Sequence, residues 1–303
     1  MLFQLKEQKS KLHFLRSGVR TLFFNATNIA RNVVYIKNFS KKNTLSISRK
    51  IQPTSNVNFS IDRFKVKIIK SGDPLVYFAQ KLRYENFFSQ QKLKSKIRVD
   101  SDPFDEVCEH LVVIDTSKSK NYVVGTYRLF IKLQDDLSNK YYTETEFDIS
   151  NLKKANYKIL EAGRSCVHPD YRDGSIIRLL WKGIASYISE QNVDFIIGCA
   201  SFNTKNVEEI SHHLSYLQNF HLAPLEYRSY PLLSKATSWN HIKRSNINKF
   251  KVFKELPPLI KAYIRAGAWI GKGAVLDESF GSIDVCILLK VQNIRKKYMN
   301  MKV

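Results

Sequence analysis

Acid is what this chain is short of. Over 303 residues it sets 27 Asp and Glu against 49 Lys and Arg, a formal net charge of +22. An imbalance of that size points to an acidic partner, whether nucleic acid, anionic lipid or an acidic protein surface. Long apolar runs are lacking as well. No stretch approaches the roughly 20 apolar residues that a bilayer-crossing helix requires, so no membrane span is expected. Cysteine is sparse: Cys108, Cys166, Cys199 and Cys286 lie far apart, three of them in apolar, strand-like strings. Without C-x-x-C or paired histidine spacing they suggest neither a disulfide framework nor a metal site. They read as buried, reduced thiols in a reducing compartment. His212 and His213 are adjacent in a helical pattern and therefore face different directions, so no metal is expected there either. Internal repeats and recognised nucleic-acid motifs are absent, and the basic residues are spread over every segment, which disfavours nucleic acid. What is abundant is apolar material: at 44% hydrophobic, the chain can bury the core of one large domain, with or without an appendage.

Composition divides the chain into a basic arm over 1–60, a globular domain over 61–295 and a basic tail over 296–303. In the arm, eleven basic residues from Lys6 to Lys50 face one acid, Glu7, and apolar clusters such as Leu22-Phe23-Phe24 are interleaved with them. A basic stretch with an apolar face reads as a membrane-surface helix on anionic lipid. The same composition imitates an organellar transit peptide or a solvated, poorly ordered arm. From Ile61 the pattern turns globular. Alternating Phe64, Val66 and Ile68 predict a strand, Gly72-Asp73-Pro74 a turn, and 75–89 a helix. A polar, charged segment over 90–105 reads as a lid. The apolar runs at 110–115 and 122–131 predict a hairpin, and the acidic strip 143–148 a loop with a short helix. Further strands are expected at 193–200 and 283–291, with helices at 207–220 and 259–267. Helices alternate with strands, yet some neighbouring strands are hairpins. The fold class is therefore α/β, with a mixed central sheet flanked by helices.

The segment 157–188 organises the rest. A strand over 157–167 carries Glu161 and Arg164 among apolar and small residues, and Pro169 ends it because proline lacks the N–H a ladder needs. The turn Asp170-Tyr171-Arg172-Asp173-Gly174 follows. A helix comes next, with Ile177, Leu180, Trp181, Ile184 and Ile188 at helical spacing on one buried face. Strand, glycine-containing basic turn and helix N-terminus together aim backbone N–H groups at one point, which suits a phosphate.

These residues carry a family resemblance. V-x-P-x-Y-R-x-G at 167–174 resembles the pantetheine-pyrophosphate loop of the GNAT acyltransferase superfamily, and E-x-G-R-S-C-V at 161–167 resembles a narrower branch that uses acyl carrier protein. That branch holds the ornithine Nα-acyltransferases of ornithine-lipid synthesis and, more distantly, the acyl-homoserine-lactone synthases. Three more segments match it: Arg83 with Phe87 (R-x-x-x-F), Asp102-x-x-Asp105 before the strand HLVVID, and Gly125-Thr126-Tyr127-Arg128-Leu129 (G-x-x-R-L). The strings IGCASF at 197–202, LPPL at 256–259 and RAGA at 265–268 resemble the ornithine acyltransferases rather than the lactone synthases. Asp277-x-x-Phe280 fits the family's end pattern without an assigned role. The resemblance covers 61–291. One departure stands out: Ser175 is followed by bulky Ile176 and Ile177, where acetyl-CoA enzymes keep a second small residue. A loop less fitted to a full CoA pyrophosphate suits the phosphopantetheine of a carrier protein.

The resemblance implies a GNAT-like fold and an acyl-carrier-protein-dependent, amide-forming N-acyltransferase. It would move a 3-hydroxyacyl group from acyl carrier protein to the α-amino group of L-ornithine, giving lyso-ornithine lipid, with no permanently bound cofactor and no metal. The alternatives are another long-chain N-acyl amino acid or acyl-homoserine-lactone-type synthase, or a non-catalytic basic lipid-binding relative. Amide formation from a thioester needs a base for the amine and a stabilised oxyanion. Glu161, on the central strand just before the phosphate loop, is the candidate base, with Arg164 as its catalytic companion if a bulge brings the two to one face. The alternative there is a structural Glu–Arg link within the sheet. Arg83, Phe87, Asp102, Asp105 and Arg128 are the expected substrate-binding residues, carboxylates for ammonium groups and guanidinium forks for a carboxylate. Val167, Arg172, Asp173, Gly174 and Ser175 are expected at the phosphopantetheine. Cys166 reads as packing, and transfer as direct. An acidic carrier protein suits the basic surface, and a lipid product suits a cytoplasmic protein resting on the inner face of the cytoplasmic membrane.

Overall fold

The computed structural model describes residues 55–88, 98–132 and 140–294. The arm, apart from its last residues, lies outside the described residues, as do the tail and the first half of the expected lid, 90–97. The helix α1 (Pro74–Phe87) follows strands β1 (Asn58–Ile61) and β2 (Phe64–Lys70). The first strand thus begins inside the segment that composition assigns to the arm. Asp73 caps α1 by accepting the Leu75 N–H at 2.8 Å, and Pro74 fills the position where a missing N–H costs nothing. Strands β3 (Glu109–Asp115) and β4 (Val123–Ile131) form the expected hairpin. Then come β5 (Phe147–Asp148), α2 (Ser150–Lys154), β6 (Ile159–Val167), α3 (Ser175–Gln191) and β7 (Phe195–Phe202). The C-terminal part adds α4 (Ser211–Phe220), β8 (Tyr230–Pro231), β9 (Ala236–Thr237), α5 (Lys249–Glu255), α6 (Pro258–Ala266), β10 (Trp269–Ile270), β11 (Ala274–Asp277) and β12 (Ser282–Lys290).

Among the described residues these build a mixed ten-stranded sheet of order β1-β2-β3-β4-β6-β7-β12-β11-β9, with β10 also on β12. Its pairs are antiparallel except β6 with β7. One face is covered by α3, whose apolar stripe of Ile176, Leu179, Leu180, Ile184, Tyr187 and Ile188 is buried against Val66, Leu111, Leu129 and Leu160. Each such side chain contributes roughly 1.5–3 kcal/mol on full burial. Asn192 in the left-handed region ends that helix. The other face carries α1 and the 3-10 turn Tyr142–Thr145, and it holds the site.

Two irregularities shape that face. Opposite Tyr127 of β4, strand β6 has two residues, Arg164 and Ser165, and Arg164 adopts φ +50°. This is a bulge, and it resets the alternation so that Arg164 no longer points away from the Glu161 side. The second irregularity is that β6 and β7 stay paired only over Ile159–Glu161 and Phe195–Ile197, although both run on. They part at Gly198, where a Cβ would sit 2.5 Å from the Ala162 carbonyl oxygen. Beyond that point a cleft opens between two strands whose facing backbone groups are not spent on each other.

Candidate active site

A cavity of about 360 Å³ occupies this cleft, lined by Asn86 and Phe87 of α1, Arg128 and Phe130 of β4, Tyr142, Glu161 to Ser165 of β6 except Ala162, Cys199 to Ser201 of β7, and Asp277, Phe280 and Asp284. Glu161 lines it and is 5% exposed. Its Oε1 accepts the Thr143 N–H and the Thr143 hydroxyl, both at 2.6 Å, and its Oε2 accepts the Tyr142 N–H at 2.8 Å. Burial pushes this carboxyl up, beyond what those donors pull back. A carboxylate oxygen accepts two hydrogen bonds, so Oε2 keeps one lone pair for a substrate N–H. The structural Glu–Arg link is not formed, since the partners of Glu161 come from the 3-10 turn.

Arg164 turns instead to Asp102 (2.9 Å) and Asp100 (3.4 Å). Its guanidinium lies between two rings, 4.4 Å from the Phe280 centroid and 4.8 Å from that of Tyr142. Phe280 packs edge-on against Phe87 at 6.0 Å, so the aromatic of the R-x-x-x-F motif on α1 and the D-x-x-F segment meet in one wall of the cavity. Asp277 supports that wall. Its Oδ1 accepts the Ser279 and Phe280 N–H groups, which folds the β11–β12 turn.

Behind the cavity lies a closed ion network. Arg83, buried in α1, donates from Nε to Asp100 at 2.7 Å and from Nη1 and Nη2 to Asp105 at 2.6 and 3.1 Å. Arg128 donates to Asp102 at 2.6 Å and to Asp105 at 3.3 Å. The D-x-x-D motif is also a capping box: Asp102 accepts the Phe104 N–H and Asp105 accepts the Asp102 N–H. Although burial works to raise it, Arg83 and Arg128 hold the Asp105 carboxyl well below the usual carboxylate range. Arg83, Asp102 and Asp105 do not line the cavity, whereas Phe87, Arg128 and Arg164 do. Asp100, which ties Arg83 to Arg164, had no motif to announce it.

None of the phosphate-loop residues lines the cavity itself; Arg172 reaches its wall through Asn86. Gly174 caps α3 at φ +94°, a backbone region that glycine enters without strain. Asp173 accepts the Ser175 N–H (2.8 Å) and hydroxyl (2.6 Å), so the first helical amide is already used. The next two, on Ile176 and Ile177, have no partner within the helix. Val167 ends β6 and gives its carbonyl to Arg172 Nε at 3.3 Å, while the other end of Arg172 reaches Asn86. The base beside the glycine is Arg178, whose Nη1 would lie 3.5 Å from a Cβ at position 174. One helical turn past the loop, it was findable as a basic residue at the first turn of the helix. Tyr171 clasps the loop to the sheet, its hydroxyl donating to buried Asp115 at 2.9 Å. The cysteines are free, and burial pushes Cys108 and Cys166 up to about 12, which makes thiol nucleophiles of neither.

The fold and the cleft define an acyltransferase of the GNAT class, and a family profile described as an acetyltransferase (GNAT) domain matches residues 82–182. The L-ornithine N(alpha)-acyltransferase of Brucella abortus is 34% identical over 232 residues, covering 73% of this chain and 83% of that protein. Its namesake in Agrobacterium fabrum is 35% identical over 232 residues, covering 73% and 79%. A solved CoA-dependent acyl-homoserine lactone synthase, BjaI, aligns with a TM-score of 0.42 at 13% identity, over 78% of this chain and 85% of its own. The chain belongs to the L-ornithine Nα-acyltransferase family and is an amide-forming N-acyltransferase. Among the described residues no helix is long and apolar enough to cross a membrane.

Proposed function

We propose that the protein transfers a 3-hydroxyacyl group from acyl carrier protein to the α-amino group of L-ornithine, producing lyso-ornithine lipid. The observation that carries the reading is the buried Glu161 carboxylate, with one acceptor position left open, in a cleft between diverging parallel strands. An extended phosphopantetheine arm, with two amides, fits the unspent backbone edge of β6. Its phosphate meets the Ile176 and Ile177 amides and Arg178 beside Gly174, while Asp173, Ser175 and Arg172 shape the turn and Val167 sets where the strand ends. In that pose the thioester carbonyl lies near Gly163 to Ser165, opposite Glu161.

The chemistry is then balanced as follows. Glu161 Oε2 takes one proton from the α-ammonium, and the freed amine attacks the thioester carbonyl. The C–N bond forms, the C–S bond breaks, and the thiolate takes the nitrogen's second proton, leaving amide, carrier thiol and one released proton. Arg164 and Arg128, held in place by Asp102, Asp105 and Arg83, supply the positive field for the amino acid's carboxylate and for the oxyanion. Phe87 and Phe280 wall the acyl end. The ornithine acceptor is favoured by the relatives' names, and an acidic carrier protein suits a chain of net charge +22. A lipid product fits action at an anionic membrane surface, with no role for nucleic acid.

The test is a mass-spectrometric assay of the purified full chain with 3-hydroxyacyl carrier protein, matching acyl-CoA and a panel of amines. N-acyl ornithine formed from the carrier-protein donor is the expected product. Equal use of acyl-CoA would remove the carrier protein from the reading, and acylation of a different amine in preference would remove ornithine.

A further inference from the structure

A second group of carboxylates lies on the same face, and among the described residues it has no basic ion-pair partner. Glu146, Asp277 and Asp284 come from the end of the 3-10 turn, from β11 and from β12, and their carboxylate oxygens lie within 4.8 Å of one another. Asp277 and Asp284 line the cavity. Glu146 lies just behind them, fully buried at 0% exposure, and neither of its oxygens meets an N–H or O–H donor. The Cys199 thiol, a weak donor, is its polar neighbour. Asp284 accepts the Ser282 hydroxyl at 2.8 Å on Oδ1, and Asp277 Oδ2 has a long 3.3 Å contact with the Tyr142 hydroxyl. Among the described residues, no lysine or arginine makes an ion pair with any of the three. Burial together with Asp284 and Asp277 pushes Glu146 up to about 7, and burial raises Asp284 as well. A buried acid without a donor, aimed at two further acids in a substrate cavity, is a place prepared for a cation.

We propose that Glu146, Asp277 and Asp284 form the subsite for the side-chain ammonium of the acceptor, the feature that selects a diamino acid over a monoamine. This rests on the reading of the chain as an ornithine acyltransferase. An ammonium donating along tetrahedral directions at about 2.8 Å separates its acceptors by about 4.6 Å, within the spacing seen here. The place is also right relative to the base. Glu161 neighbours Ile197 and Asp284 neighbours Ser201, four residues further along β7 and on the same face. That is about 13 Å of strand. An extended ornithine, with a hydrogen bond at each end, spans about 12 Å. Thr143 lies behind the cavity wall between the two ends, holding Glu161 and meeting the Cys199 sulfur at 4.0 Å.

The experiment compares L-ornithine with L-norvaline, which has the same carbon chain and no δ-amine, in wild type, Asp284→Asn and Glu146→Gln. Circular dichroism confirms that each variant is folded. The ratio of kcat/KM for ornithine to that for norvaline is expected to fall by about 30-fold in Asp284→Asn, the worth of a hydrogen bond to a charged group. Calorimetric titration of the full chain with L-ornithine and with Nδ-acetylornithine gives a second readout: wild type binds the first more tightly, and Asp284→Asn loses that preference. An unchanged ratio with ornithine still acylated overturns the subsite and leaves the acyltransferase reading intact. If ornithine is not a substrate but another diamine is, and Asp284→Asn lowers its use selectively, the ammonium site stands and the ornithine reading fails. Calcium binding in wild type that is lost in Asp284→Asn makes the triad a metal site and overturns the proposal.

Discussion

Two clusters of acids flank the same cavity and are treated in opposite ways by the fold. Asp100, Asp102 and Asp105 are met by Arg83, Arg128 and Arg164 in a network of short, buried, partly bidentate bonds. Glu146, Asp277 and Asp284 lie close together, and among the described residues none of them makes an ion pair with a lysine or arginine. The first cluster has its charges balanced within the protein, so that its acids hold Arg128 and Arg164 in place at the cavity wall. The second has its balance left open and costs the folded chain free energy unless a cation arrives. Sites that bind or react tend to be the places where local consistency is broken. Glu161 combines the two: three donors hold it, as in the closed cluster, yet its proton affinity is raised, as in the open one.

The largest effect is expected at that intermediate group. Glu161→Gln keeps the shape and one acceptor but removes the base, so single-turnover acyl transfer should slow by about 10²–10⁴-fold with the far-ultraviolet spectrum unchanged. Near wild-type turnover would take Glu161 out of the base role and leave it as one more structural acid. Next comes the closed cluster itself. Asp105→Asn leaves Arg83 and Arg128 facing an amide at 4% exposure. Breaking a buried pair on one side costs about 3–5 kcal/mol, to be read from the urea midpoint at constant slope. A loss under 1 kcal/mol would mean that the network is not what holds the α1 side of the site.

The closed cluster was legible in sequence and the open one was not, for a physical reason. Arg83, Asp102, Asp105 and Arg128 lie in short motifs within one half of the chain, where hairpin and helix periodicity fixes which faces meet. The D-x-x-D spacing is in addition a local capping box that a linear string can carry. Glu146 sat in an acidic strip that reads equally as solvated loop, Asp277 in a motif without a role, and Asp284 inside the apolar run of β12. Their meeting depends on β7, β12 and β11 lying side by side, which no local pattern states. The one available signal was the charge at Asp284 amid Ile283, Val285 and Ile287. Arg164 shows the same limit at smaller scale: regular alternation aims it away from Glu161, and only the φ +50° bulge returns it. The longer strands and helices were readable from their periodicity, whereas the short helices α2 and α5 were missed and two-residue strands such as β8 to β10 offer no period at all.

Opposite signs sharpen the contrast further. Glu146 has its carboxyl raised from 4.5 to about 7 by burial and by Asp284 and Asp277, against the pull of Lys235 and the Cys199 thiol. In the unfolded chain it ionises near 4.5, so there the folded state binds more protons and stability falls as pH rises from about 4.5 to 7, then levels off. That loss is on the order of 3 kcal/mol by the usual 1.36 kcal/mol per unit. Asp284, also raised, acts in the same direction. Glu146→Gln, whose amide can donate to Asp284, should flatten the decline and raise the unfolding free energy at pH 8 by about 2 kcal/mol. Asp105→Asn lowers it at the same pH. Should Glu146→Gln destabilise the chain at pH 8, the second cluster would have its counter-charge after all, and the difference between the two regions would vanish.

The smallest effect belongs to the residue that touches both. Arg164 hydrogen-bonds to Asp102 with one end, lies flat between Phe280 and Tyr142, and lowers the proton affinity of Asp284. Arg164→Lys keeps the charge while losing the planar fork and the double stacking, worth about 1 kcal/mol in stability at a site this shielded. Because the lysine ammonium is a point charge free to swing toward Asp284, the variant tests which cluster owns residue 164. If it belongs with the closed network, the urea midpoint falls and turnover drops with the weaker field at the reacting groups, while the pH dependence of stability between 4.5 and 7 stays as in wild type. If the lysine neutralises the open triad, ornithine KM rises several-fold and the pH dependence of stability between 4.5 and 7 shrinks, as it does in Glu146→Gln.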